Sequence, residues 1–126
     1  MRWTDDELAA IAASQELTIA SFRADGTLRA PITIWVVPDG DDLYVRSVNG
    51  REAAWFRGAQ TRHQARIRAG GVEKDVSLVE TDEAREQIDT AYQTKYGTRY
   101  PTIVPSIVAP QAQAATLKLI PSEEET

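Results

Sequence analysis

The chain has 126 residues and a mass of 13.9 kDa, carries a net charge of −5 and has a pI near 4.9. That length suits one domain with one core, and the absence of cysteine excludes disulfides, thiolate catalysis and cysteine-ligated zinc. An acidic start, MRWTDDELAA, where a signal peptide needs an apolar centre, and the lack of any run of about 18 apolar residues predict a cytoplasmic protein that binds neither membrane nor nucleic acid.

Thr4 and Glu7 have the spacing of a capping box, each side chain reaching the other's free amide, with Trp3 and Leu8 placed to staple the entry. A helix is predicted over 5–13. Residues 16–22 (ELTIASF) alternate, Asp25-Gly26 is a hairpin turn, and residues 29–37 (RAPITIWVV) are rich in β-branched and aromatic side chains. These read as two paired antiparallel strands. The turn Pro38 to Asp42 leads to a strand over 43–47, which should pair antiparallel with 29–37 because the turn is too short for a crossover.

After the turn pair Asn49-Gly50, residues 52–60 have helical spacing. Residues 63–69 and 72–80 flank Gly70-Gly71, a pair that tolerates positive φ and so joins two more strands. Ala84, Ile88, Ala91, Tyr92 and Lys95 predict a helix over 82–96, started by Thr81 or Asp82 and stopped by Gly97 in a left-handed conformation. Three prolines make 99–110 a loop with at most one helical turn, and a last strand is predicted over 115–120. The expected architecture is mainly β with flanking helices: a small barrel of about six antiparallel strands in one domain, 1–121, with a flexible tail, 122–126.

Charge is unevenly placed. Between Leu43 and Gly71 stand Arg46, Arg51, Arg57, Arg62, Arg66 and Arg68, opposed there by Glu52 alone. Such concentration in an acidic chain suggests a local anion site. Arg66 and Arg68 alternate with Ile67, as residues on the solvent face of a strand do. Arg46 and Arg51 differ because they flank Ser47, Asn49 and Gly50, so two guanidinium forks, a hydroxyl and loop amides could converge on one phosphate where strand meets helix. Arg57, six residues after Arg51, need not share its helix face.

Trp55 suits a ligand ring, core or a dimer interface, and Trp35 lies in the most apolar strand, as core residues do. His63 is the only histidine, so it makes neither a metal site nor a triad. Asp39, Asp41 and Asp42 lack the spacing of a calcium loop and read as turn residues. Neither G-x-G-x-x-G nor a Walker motif occurs.

The segments IWVVPDGDDLYVRSVNGREAAWFRGA, RIRAGGVEKDV, IDTAYQTKYGTRYP and ATLKLIP resemble an uncharacterised bacterial family, domain of unknown function 2255, over nearly the whole chain. More distantly the order resembles deazaflavin-dependent nitroreductases, small split β-barrels with a Ser-x-Gly-Gly-like turn before a helix bearing Pro-x-Trp-Tyr. The counterparts here are Ser47, Asn49-Gly50 and Ala54-Trp55-Phe56. The wider split-barrel group includes FMN-binding oxidases of pyridoxamine phosphate, usually homodimers with cofactors between subunits. The resemblance implies FMN or deazaflavin as cofactor, no metal, and a homodimer. It also implies hydride transfer to a small organic acceptor, with Ser47, Gly50 and Arg51 at the phosphate end and Trp55 alongside; charge adds Arg46. Phe56 stands where the motif has tyrosine, and the nitroreductases' basic stretch before the first barrel strand is not evident. A non-catalytic module for a phosphorylated or anionic ligand on the same fold is the alternative.

Overall fold

The structure, a computed structural model, describes residues 2–122. The expected tail lies outside the described residues except for Ser122, whose amide donates to the Asp75 carbonyl at 2.9 Å. In chain order the elements are α1 (Asp5–Ala13), β1 (Leu17–Ser21), β2 (Ile32–Ile34), β3 (Val37–Asp39), β4 (Asp42–Arg46), a 3-10 turn (Gly50–Glu52), α2 (Ala54–Arg62), β5 (Gln64–Ala69), β6 (Val72–Glu80), α3 (Arg85–Tyr96), α4 (Val104–Ile107), α5 (Pro110–Gln113) and β7 (Thr116–Pro121).

Local signals set several of these. Thr4 and Glu7 make both bonds of the capping box, and Trp3 and Leu8 pack in one cluster. Gly70 and Gly71 both have positive φ, 57° and 83°, and the β5–β6 hairpin around them runs from Ala69↔Val72 to Gln64↔Ser77. On β5, Ala65, Ile67 and Ala69 are buried while Arg66 and Arg68 face solvent, paired with Asp75 and Glu73. The period-2 reading of the arginines therefore holds.

The strands form one antiparallel sheet in the order β2-β1-β5-β6-β7-β4-β3. β2 and β3 occupy its two edges, yet only Trp35 and Val36 separate them in sequence. Two residues cannot bridge more than about 10 Å, so the sheet curls until its edges meet. The strand expected over 29–37 is thus divided. Its first part pairs with β1 (Ile19↔Ile32) and its last with β4 (Val37↔Tyr44). The expected pairing with the 43–47 strand is made by β3 alone, and the count rises to seven. Pro38 sits on the edge strand β3, where a missing amide costs no ladder bond.

Three other expectations differ. The arginine-bearing helix starts two residues later than expected, at Ala54, after the 3-10 turn. The long helix begins at Arg85 behind Ala84, which takes the left-handed conformation, and Gly97 ends it at φ −61° rather than positive φ. The chain keeps turning there because the Tyr100 amide donates to the Tyr96 carbonyl. Residues 99–110 hold α4 and the start of α5, more helix than the prolines suggested, because Pro105 and Pro110 occupy first-turn positions.

The barrel interior is filled by Leu17, Ile19, Leu43, Val45, Ile67, Leu78, Leu117 and Leu119, with Ile11 and Phe56 closing it from α1 and α2. A second cluster, with Ile88, Tyr92 and Tyr96 of α3 and Val104 and Ile107 of α4, packs on Val37 and Tyr44. It covers the seam between the sheet edges. There the Tyr96 hydroxyl accepts from the Val36 amide (3.3 Å) and donates to the Gln15 carbonyl (2.8 Å), while Lys95 Nζ donates to the Val36 carbonyl at 2.6 Å.

Burial at the seam lowers the Lys95 ammonium to about 8. The unfolded chain keeps that proton up to the ordinary lysine range, so above pH 8 it binds more protons than the folded state and stability rises with pH. Wild type should therefore gain on Lys95→Met between pH 7 and pH 9.5 in urea unfolding. The relative gain is bounded by about 1.4 kcal/mol per pH unit and is reduced by partial exposure. Parallel pH curves for the two proteins would remove the effect.

Candidate functional site

β4 ends at Arg46, and the chain then turns through Ser47 to Asn49 into the 3-10 turn and α2. Gly50 makes this path possible. Its φ is +77°, and a Cβ there would stand 2.5 Å from Gln111 Cγ of α5. The Gly50 amide donates to the Ser47 carbonyl (2.9 Å) and the Ala53 amide to the Gly50 carbonyl (3.4 Å), so two of the loop amides expected to meet an anion already have acceptors. Ser47 Oγ is buried without a hydrogen-bond partner, and Asn49 is exposed and makes no side-chain cap.

The structure does not bring the two leading arginines together. Arg46 points inward, its side chain wholly buried. Its Nη1 forms an ion pair with Asp89 of α3 and also donates to the Ile107 carbonyl (3.2 Å), Nε donates to Thr116 Oγ1 (2.9 Å), and Nη2 to the Arg85 carbonyl (3.3 Å). Arg51 is half-exposed. Its Nη1 donates to Glu80 Oε1 at 2.5 Å and to the Ala114 carbonyl at 3.2 Å, and the Glu80 contact raises its pKa further. Arg46 and Arg51 are thus each held by a carboxylate of their own, Asp89 and Glu80.

The space beside Arg46 is apolar. A cleft of about 190 Å³ is lined by Thr33, Ile34, Trp35, Val48, Trp55, Ile103 and Ile107, with Arg46 at its floor. Trp35 is stacked on Tyr96 (4.0 Å between centroids, 5° between planes) and Trp55 meets Phe56 edge-on at 5.9 Å. Neither tryptophan is fully buried. Val48 and Ile103, at 42% and 49% exposure, are two of the described large apolar side chains left open to solvent. Beyond Trp55 a second groove of about 270 Å³ runs along Ile19, Ser21, Ile32, Ala30 and Ala54, flanked by Arg23 and Arg29. A third recess continues from Arg29 and Ala54 to Arg57, Gly58 and Thr61. Trp55 is common to the first two spaces, and Arg29 to the last two.

Of the residues singled out in the sequence, Arg46 and Trp55 line the cleft and Arg57 the far recess, whereas Ser47, Asn49, Gly50 and Arg51 shape the turn beside it. Trp35, expected in the core, is a cleft wall. Ile103 and Arg29 were not anticipated: Ile103 lies in a proline-rich stretch whose packing is not local. Arg29 had one signal, Gly58 inside the helix it lies against. Among the described residues no group of three His, Cys, Asp or Glu could hold a metal ion, and no helix is long and apolar enough to cross a membrane.

Comparison with known proteins adds a family and a fold. The sequence profile of DUF2255, described as uncharacterised protein conserved in bacteria, matches residues 7–119. None of the curated proteins matches. Similar solved structures include the heme storage protein HutZ from Vibrio cholerae (16% identity, TM-score 0.62, covering 98% of this chain and 93% of that one). They also include an FAD-binding protein from Mesorhizobium loti (13%, 0.61, 98% and 93%) and an F420 reductase (14%, 0.52, 91% and 92%). At these identities the likeness shows the fold, a split β-barrel with flanking helices.

Proposed function

This chain belongs to the DUF2255 family, and from that premise we propose that it binds a flavin-type cofactor, FMN or a deazaflavin, in the cleft between Trp35 and Trp55. The observation that carries the reading is the continuity of an aromatic cleft with an arginine-lined groove through one shared tryptophan. A planar ring with an anionic tail needs that combination: apolar walls for the ring, cationic donors for the tail. Proteins of similar fold include an FAD-binding protein and an F420 reductase, which supports this ligand class.

The residues present fit such a group. Trp55 offers a flat apolar surface and Ile34 an aliphatic one, Arg46 lines the cleft with a guanidinium, and Arg29 Nε is a buried donor in want of an acceptor. When bound, the cofactor supplies the hydride chemistry, here toward a small organic acceptor. The chain's own residues hold the ring, exclude water from one face and neutralise the tail. Each groove alone is smaller than an ordinary ligand pocket, so the proposal includes a homodimer whose second subunit supplies the missing wall beside the exposed Val48 and Ile103.

One observation favours a non-catalytic module instead: the charged group lining the cleft, Arg46, is already paired with Asp89. The visible spectrum of the purified protein, before and after adding FMN or deazaflavin, separates the readings. A perturbed chromophore whose bleaching by reductant is reversed by an organic acceptor supports the oxidoreductase. A bound chromophore that passes no electrons, or a protein that perturbs neither spectrum, supports the module and contradicts the oxidoreductase.

A further inference from the structure

We infer that Arg29, with Arg57 and Arg23 beside it, forms a phosphoryl-binding ledge on the face of α2, and that this ledge, not the Ser47–Arg51 turn, holds the anionic end of the ligand. The inference deepens the reading above and rests on it for the ligand's identity.

The ledge is built around a glycine. Gly58 lies buried inside α2, where glycine is unfavourable, and a Cβ on it would stand 2.8 Å from Arg29 Nε and 3.1 Å from Arg29 Cδ. The missing side chain lets the arginine lie flat on the helix. There Nη2 reaches Thr61 Oγ1 at 3.4 Å, while the backbone is tied down by the Arg29 amide donating to the Ser21 carbonyl at 2.9 Å. Nε is buried and has no hydrogen-bond partner among the described residues. A charged donor held dry and unsatisfied is costly, and an anion in the recess would supply its acceptor.

Charge points the same way. Arg51, Arg66 and Arg68 are each neutralised by a carboxylate. Arg23, Arg29 and Arg57 have no carboxylate within ion-pair distance among the described residues. Arg23 donates only to neutral oxygens, Thr27 Oγ1 at 3.2 Å and the Leu28 carbonyl at 2.9 Å. All three line the joined grooves that also contain Ala54. Ala54 is the first residue of α2, and Ala53 before it makes no side-chain cap, so the helix's positive end faces the same space. Three uncompensated guanidiniums and a helix start suit a doubly charged phosphoryl group better than a lone carboxylate.

The test compares FMN with riboflavin, which lacks only the phosphate, in wild type and in Arg29→Gln, Arg57→Gln and Gly58→Ala. Wild type should prefer FMN by about tenfold or more. Each variant should bring that ratio to within roughly twofold while riboflavin affinity is kept, and Gly58→Ala should do so without loss of stability, because alanine suits the helix and only the arginine must move. Arg66→Gln is the control and should change nothing. Equal binding of FMN and riboflavin by wild type, or a preference that survives in the Arg29 and Arg57 variants, overturns the ledge but leaves the cleft reading intact. If neither flavin binds, the FMN form of the cleft reading fails, and inorganic pyrophosphate decides for the ledge alone. Amide shifts at residues 54–58 that Arg29→Gln abolishes sustain it; no shifts, or shifts unaltered in the variant, overturn it.

Discussion

Asp89→Ala should lower the unfolding free energy by about 3 kcal/mol or more, because it leaves a wholly buried guanidinium without its counter-charge. Arg46 would retain only neutral acceptors, Thr116 Oγ1 and the Ile107 and Arg85 carbonyls. The reverse deletion is milder. In Arg46→Met the Asp89 side chain, 21% exposed, keeps water on one side and the Gln113 amide at 2.9 Å on the other. The double variant should therefore be more stable than Asp89→Ala alone, since the orphaned charge is gone. Urea unfolding of all three measures this, and an Asp89→Ala loss below 1 kcal/mol would show that the pair is not the tie between β4 and α3.

Trp55→Ala should weaken FMN binding by about 1–3 kcal/mol, the worth of one stacking surface under a planar ring. Trp55→Phe should recover part of it. The useful contrast is Trp3, whose indole is buried and donates to the Leu119 carbonyl at 3.0 Å. Trp3→Phe should cost stability and leave affinity alone, since Trp3 does not line the cleft. Calorimetric titration beside urea unfolding separates the two outcomes. Equal affinity losses at both positions would mean that global destabilisation, and not contact, is being measured.

The elements readable in the sequence are those decided by neighbours in the chain. The Thr4–Glu7 box, the Gly70-Gly71 turn and the alternation around Ile67 each depend on a few adjacent residues, and each appears where expected. The division of 29–37 was not readable, because its cause is distant: β2 and β3 belong to opposite sheet edges that meet only when all seven strands are assembled. The same reason hid the fate of the arginines. Arg46 is matched by Asp89, 43 residues later, and Arg51 by Glu80, 29 residues later, so a charge count within 43–71 could find the excess of cations but not their partners. Gly58 held a usable clue. A glycine inside a short helix weakens it, and a close neighbour, here Arg29, is the usual reason.

The central claim is that Trp35 and Trp55 wall a ligand cleft. It is tested most directly by following the three indole N–H resonances in a 1H–15N spectrum while FMN is added. Trp3, fixed to Leu119 inside the barrel, serves as the internal control. The account predicts that the Trp35 and Trp55 signals move in step and saturate while Trp3 stays in place. Movement of Trp3 alone, or no movement at any of the three at saturating FMN, would contradict it.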